Sequence, residues 1–205
     1  MKQIAIGILL LINIIGHTQE PAKPIKKFYF GVSPSIGFFN PVGVNNYIKN
    51  KLEEQNITIN FGYPQMFMNY GINVLGSYYY KQISITGSME LSYAYKYVSI
   101  PNGTSHVYSF ERTSLGLTSN YYIPLSSRRS LFIGAGVLDN FMFFERFKAS
   151  SIGGRAQAGL DFKMGRIRAK VYGRLNFMQT AHAIDGNKSC NLNYSGFDIS
   201  GIFEF

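Results

Sequence analysis

Cysteine appears once in the 205 residues, at Cys190, and histidine three times. A single thiol excludes an intrachain disulfide and a thiolate-rich metal site, so the fold has to be held by its own packing. Charge is scarce: 15% of residues are Asp, Glu, Lys or Arg, against about 25% in a typical soluble domain. Long apolar runs are missing too. After the first two dozen residues nothing approaches the ~18 residues of a spanning helix, which excludes a polytopic helical membrane protein. What the chain has instead is 17 Phe, 15 Tyr and 21 Gly. That burial potential excludes disorder, and the aromatic and glycine content tilts the reading toward one all-β domain.

The amino terminus reads as a processing signal. Lys2 gives a positive start, Ile4 to Ile15 form an apolar stretch interrupted only by Gly7 and Asn13, and Gly16 and Thr18 are small residues where a signal peptidase needs them. Residues 1–18 are therefore expected to be a signal peptide cleaved before Gln19, 19–26 a periplasmic linker and 27–205 the folded domain. An uncleaved anchor helix is the alternative, disfavoured because the apolar stretch is short of a span. No cysteine follows the stretch, so no lipid anchor is expected.

The rest of the chain alternates with a period of two. From Ile83 to Tyr97 the odd positions include Ile83, Ile85, Met89, Leu91, Tyr93, Tyr95 and Tyr97, and the even ones Ser84, Thr86, Ser88, Glu90, Ser92 and Lys96. One greasy and one polar face is the signature of a strand. The pattern recurs in Phe28–Phe38, Met68–Tyr80, Arg112–Tyr122, Leu131–Phe144, Gly154–Lys163, Ile167–Phe177 and Phe197–Phe205, which makes eight strands. Leu131–Phe144 alternates least well because Asp139 falls in phase with its apolar residues; a bulge or a place at a membrane rim would accommodate it.

Connections between these segments are long at 39–66, 98–110 and 180–192, modest at 145–152, and short at Lys81–Gln82, Pro124–Ser130 and Met164–Arg166. Long and short alternate, as in a meander of antiparallel strands with short periplasmic turns and longer outer loops. Each strand has enough residues to cross a bilayer at a tilt. A secreted lipocalin-like barrel or sandwich would also alternate, but would dress its outer face in Lys and Glu. Here the polar faces are mostly Ser, Thr, Gly, Asn and Ala, small enough for the inside of a narrow barrel. The expected fold is an all-β, eight-stranded antiparallel up-and-down transmembrane β-barrel with a filled polar interior.

The leader, the eight strands and the terminal Gly201-Ile202-Phe203-Glu204-Phe205 together resemble the small outer-membrane β-barrels of the OmpA/OmpX-like superfamily, and in style the PorT-like group. The resemblance covers the whole chain after the leader and is one of pattern more than of motif. It implies a bacterial outer-membrane location and a carboxy-terminal signal for the barrel-assembly machinery, carried by Asp198, Phe203 and Phe205. Ser200 stands where Gly is usual, and Gly201 follows one place late.

The polar faces carry eleven charges expected to form an interior network: Glu90, Lys96, Arg112, Arg155, Asp161, Lys163, Arg168, Lys170, Arg174, Asp198 and Glu204. An anion-attracting lumen is one reading. A network of ion pairs filling the barrel is favoured, because buried charges persist when paired and eight strands leave no continuous channel. Catalysis is not expected. Lipid A deacylases among small barrels place a His-x-Ser pair beside a carboxylate, whereas His106 is followed by Val107-Tyr108 and His182 by Ala183-Ile184. No metal or cofactor is expected at His106, His182, Asp185 and Cys190, whose spacing repeats no ligand pattern. Gly134-Ala135-Gly136 sits inside a strand and opens no phosphate-binding helix.

A net charge of +9 could point to nucleic acid, but the cations are scattered and the chain is exported. Lys49, Lys51, Arg146, Lys148 and Lys188, near loop ends, would instead meet lipopolysaccharide phosphates or simply water. Expected partners are outer-membrane lipid, lipopolysaccharide, the assembly machinery and an unidentified protein. The first long connection holds a candidate helix, Asn45 to Gln55, with Asn45 as N-cap and Tyr47, Ile48 and Leu52 on one face. Such a helix would serve as a lid or partner-binding element, or pack on the rim. Three roles fit: a structural or surface-interaction barrel, an accessory component of a secretion or transport apparatus, and a lipid-modifying enzyme.

Overall fold

The computed structural model describes residues 27–57, 67–99, 105–186 and 188–205. The expected signal peptide and linker lie outside them. Ten strands and one helix follow in chain order: β1 (Lys27–Phe39), α1 (Val42–Glu53), β2 (Phe67–Tyr80), β3 (Ile83–Ser99), β4 (Ser105–Pro124), β5 (Arg129–Phe144), β6 (Phe147–Met164), β7 (Ile167–Met178), β8 (Ala181–Asp185), β9 (Lys188–Leu192) and β10 (Gly196–Glu204). Eight of them close into a barrel in the order β1-β10-β7-β6-β5-β4-β3-β2, while β8 and β9 pair only with each other. Every barrel neighbour is antiparallel, and β1 completes the ring by pairing with β10 through Gly31↔Glu204 to Phe39↔Gly196. Closure leaves no unpaired edge, the condition for β-structure to exist in lipid.

The alternation decides which face is outside. Leu175 is 47% exposed and its neighbour Asn176 2%. The same division runs round the ring, with Val32, Val74, Ile85, Leu117, Val137, Val171 and Ile199 outward, and Ser33, Asn73, Ser84, Thr118 and Ser200 buried inside. A soluble barrel would reverse these faces. The apolar surface therefore faces lipid, and the fold is an up-and-down transmembrane barrel.

Three tight turns join the strands at one end. Lys81, with φ 55, closes β2 to β3 and Gly165, with φ 66, closes β6 to β7. The end opposite departs from expectation. The modest loop expected over 145–152 is a two-residue turn at Glu145 and Arg146, because β6 begins at Phe147. The connection expected over 98–110 shrinks to 100–104. Phe147, Ala149 and Ser151 point inward here, but their outward partners Lys148 and Ser150 are polar, so contrast between the faces fades where the strands leave the lipid.

Asp139 sits in no bulge: register runs unbroken through Leu115↔Asp139 and Asp139↔Ile152, and the side chain faces outward. It stands ten residues along β5 from Arg129. At about 3.3 Å per residue and a tilt near 40°, that places it roughly 25 Å from the short-turn end, at the far edge of a ~25 Å apolar band.

The helix begins at Val42 with Pro41 at its N-cap, not at the Asn45 expected from side-chain capping. Pro41 starts it by its fixed φ, and the Asn45 amide already donates to the Pro41 carbonyl at 2.9 Å. Starting earlier brings Val44 into a buried stripe with Ile48 and Leu52. The helix ends at Glu53, and in the turn that follows Asn56, with φ of 58, lets the Ile57 amide return to the Leu52 carbonyl at 2.9 Å.

This stripe caps the barrel. Val44, Ile48 and Leu52 join Ala183, Cys190 and Leu192 of the β8–β9 hairpin over Phe39, Phe67, Phe110, Met142, Phe144 and Phe147 from the strand ends. The interior, expected to be polar, is polar over its middle and apolar at the loop end.

Candidate functional site in the barrel lumen

Below the apolar cap lies a charge layer centred on Glu90. Its carboxylate receives the guanidinium groups of Arg112, of Arg155 at 2.9 Å and of Arg174 at 2.9 Å. Arg174 also reaches Asp198 at 3.3 Å. Asn69 and Asn176 donate to Asp198, and the Arg155 Nε–H donates to Asn176 Oδ1 at 2.8 Å. Gly37 makes room for this cluster, since a Cβ there would stand 2.6 Å from the Phe197 carbonyl and 2.7 Å from Asn69 Oδ1. Above the layer Tyr194 stacks on Phe39 at 4.1 Å, and the Arg112 guanidinium lies 3.8 Å from the same tyrosine ring. Hydrocarbon and charge thus meet across one aromatic ring.

A second layer lies nearer the short turns. Arg168 pairs with Asp161 and lies 3.8 Å from the centre of the Tyr79 ring. Lys170 reaches Glu204 at 2.7 Å, and Glu204 also accepts from the hydroxyls of Tyr79 and Ser77. Tyr29, Leu75, Tyr122, Phe132, Tyr172 and Ile202 fill the remaining width. Between the layers, Asn73, Thr86, Thr118, Gln157 and Arg155 surround a void of about 20 Å³, room for roughly one water.

Nine of the eleven charges expected inside are buried there: Glu90, Arg112, Arg155, Asp161, Arg168, Lys170, Arg174, Asp198 and Glu204. Lys96 is half-buried under the cap, its ammonium 3.2 Å from Asn45 Oδ1 on α1 and 5.0 Å from the Phe67 ring. Lys163 is a correction. It is exposed, because β6 ends at Met164 and the side chain stands at the mouth. Gly134 and Gly136 face the lumen within β5, and Asn120 and Thr118 occupy the space their side chains would take. Of the expected assembly signal, Asp198 is buried in the first charge layer, whereas Phe203 and Phe205 are exposed on the outer face.

Most of the pairing at the loop end joins residues far apart in the chain, which no single segment announces. Lys51 bonds Glu145 at 2.8 Å, Arg146 Asp185 at 2.7 Å, Lys188 Glu54 at 3.3 Å and Lys49 Glu53 at 3.7 Å. Partial burial works against the Lys51 charge, but the Glu145 hydrogen bond and charge hold its pKa above the usual lysine value. Lys148 lies 5.9 Å from the Phe143 ring. The His182, Asp185 and Cys190 set is pulled apart: His182 is exposed and bonds Asn191 at 2.8 Å, Asp185 is held by Arg146, and Cys190 faces the cap. Burial, helped by Glu145, pushes the Cys190 thiol up to about 12, so it is a protonated core group at neutral pH.

A closed ring of eight tilted antiparallel strands, apolar outside and filled inside, defines a small transmembrane β-barrel of the outer-membrane kind. No family model matches the chain, and no curated protein matches it. Among solved structures, Neisserial surface protein A superposes with a TM-score of 0.57 at 12% identity, over 86% of this chain and 95% of that one. Two structures of OmpT from Vibrio cholerae, one folded in vitro and one expressed in the outer membrane, align at TM-score 0.27 with 11% and 12% identity, over 68% of this chain and 42% of theirs. The first likeness is one of fold.

Proposed function

We propose that the protein is a bacterial outer-membrane barrel with a structural or surface-interaction role, neither a pore nor an enzyme. The observation that carries this reading is the blocked lumen: two layers of ion pairs under an apolar cap built from α1 and the β8–β9 hairpin. A barrel filled in this way offers a solid outward surface and no passage. The fold it shares with a protein named as a surface protein supports the same reading. In this orientation the short turns face the periplasm and the cap faces outward, with Lys148 and the paired cations beside the lipopolysaccharide phosphates. The leader and the carboxy-terminal Asp198, Phe203 and Phe205 supply export and assembly, as in the OmpA/OmpX-like and PorT-like barrels this chain resembles.

Planar-bilayer recording tests the central claim, with no stable open channel as the expected outcome. Steady anion-selective conductance from the unmutated protein would overturn it. Location is tested by fractionation and by an epitope placed at Glu53–Glu54, expected to bind antibody on intact cells. Recovery as a monodisperse periplasmic protein without detergent would refute the membrane assignment.

A further inference from the structure

The short-turn end carries a set of cations that the lumen does not use. Arg128 at the end of the β4–β5 connection, Arg129 at the start of β5, and Lys163 and Arg166 around the β6–β7 turn are all exposed. The Lys163 amide donates to the Arg128 carbonyl at 2.8 Å, which ties the two connections side by side. None of the four side chains has an ion-pair partner among the described residues, in contrast to the loop end, where Lys49, Lys51, Arg146 and Lys188 are each matched with a carboxylate. The carboxylates nearest the rim, Asp161 and Glu204, are buried and already engaged by Arg168 and Lys170. Every exposed Asp or Glu side chain among the described residues (Glu53, Glu54, Glu111, Asp139, Glu145) lies in the loop-side half.

Directly below these cations the outer wall is grooved. A hollow of about 820 Å³ is lined by Arg128, Arg129 and Lys163 at its upper edge and by Phe162, Met164 and Ala169 on its wall. The apolar lining continues toward the membrane centre through Leu131 and Leu160, paired neighbours on the lipid-facing side. One site therefore offers cationic forks at headgroup level and hydrocarbon beneath.

From this arrangement we infer that the groove between β5 and the β6–β7 hairpin is a binding site for one anionic phospholipid of the periplasmic leaflet. The phosphodiester sits between Arg128, Arg129 and Lys163, and an acyl chain lies along Phe162, Met164 and Leu160. Guanidinium groups bind phosphate oxygens in pairs, which a lone ammonium cannot do. A net negative headgroup is selected because the rim supplies positive charge with no exposed Asp or Glu side chain beside it among the described residues. The inference rests on the membrane orientation proposed above.

The test uses the full barrel refolded in a neutral detergent, with its closed state verified by heat-modifiable migration. Lipid retained per barrel is read by native mass spectrometry in the presence of dioleoyl phosphatidylglycerol or dioleoyl phosphatidylcholine. Phosphatidylglycerol should be retained about tenfold better. The Arg128→Gln/Arg129→Gln/Lys163→Gln variant should lose that preference, while Lys49→Gln/Lys148→Gln/Lys188→Gln keeps it, since each rim cation contributes on the order of a fewfold near an anionic surface. Excess inorganic phosphate should leave the bound lipid in place. Equal retention of the two lipids, a preference that survives the rim variant, or displacement by free phosphate would overturn the lipid site while the barrel stays closed. Failure of the unmutated chain to form a heat-modifiable barrel in any lipid would instead overturn the membrane reading beneath it.

Discussion

The two ends of the barrel close the same lumen with opposite chemistry. At the loop end the plug is hydrocarbon, and most nearby cations are satisfied by carboxylates of α1, the strand turns and the hairpin. At the short-turn end the plug is a set of tyrosines wrapped round buried ion pairs, while the cations of the rim are left to their surroundings. At the loop end, burial of Val44, Ile48 and Leu52 against the strand ends contributes about 1.5–3 kcal/mol each, and the exposed ion pairs add little. In the proposed lipid site an anionic headgroup would supply the negative charge that the rim omits.

The largest expected effect lies between the two plugs. Glu90→Ala would strand Arg112, Arg155 and Arg174, all buried, and Asp198 alone is left to compensate them. Breaking a buried ion-pair network by removing one partner costs about 3–5 kcal/mol. Heat-modifiable migration should therefore be lost at a markedly lower temperature, or refolding should fail. An unchanged transition would mean that the arginines are compensated by water or bound anions and that the layer is not a sealed plug.

Next is the outer wall. Leu175 lies on β7 between Ala156 of β6 and Phe197 of β10, facing lipid. Arginine there should cost about 2–4 kcal/mol if it sits at the midplane. Lysine replaced by arginine at Lys148, in the polar stretch of β6, should cost almost nothing. Equal tolerance of Leu175→Arg and Lys148→Arg, measured as the yield of closed barrel in vesicles, would break the assignment of faces.

How much of this was legible depended on whether one strand sufficed to show it. The division of Leu175 from Asn176 and the burial of nine charges follow from period-two alternation once the small residues of the polar faces are set inside. What escaped reading needed several segments at once. The cap combines a helical stripe at Val44, Ile48 and Leu52 with alternate residues of a hairpin at Ala183, Cys190 and Leu192, and neither segment reveals the other. Tyr194, two residues before β10, joins Phe39 to Arg112 across the chain. The start of β6 was hidden because Lys148 and Ser150 project beyond the lipid, where an outward residue has no need to be apolar. The rim cations are also divided, with Arg128 and Arg129 where β5 begins and Lys163 and Arg166 around the next short turn.

A smaller effect is expected in the cap itself. Ile48→Ala removes a fully buried side chain, at a cost of about 2 kcal/mol, the low end for such truncations because a helix over a mouth can settle. The loss should be local, since the barrel ladder lies below it. Hydrogen exchange in α1 and the hairpin should accelerate, while the temperature of barrel unfolding hardly moves.

The smallest effect, and the sharpest on the state of the cap, is read at Cys190. Its thiol is buried in the cap cluster that includes Val44 and Leu192, and its folded pKa is pushed from 9.0 to about 12 by burial, with Glu145 adding to the shift. The folded cap therefore binds a proton more tightly than the opened one, and cap stability should be constant below pH 9 and fall between pH 9 and 12. Alkylation by a small iodoacetamide needs the thiolate, which can form in the closed cap or after the cap opens. Both routes quicken as pH rises, because the opened thiolate gains on the folded thiol until the folded pKa is reached, and they differ in their response to cap stability. Opening is the expected route, so Ile48→Ala should raise the rate at every pH below 9. A rate unaffected by Ile48→Ala would mean that reagent reaches Cys190 through the intact lid, so that the loop end is no better sealed than the rim.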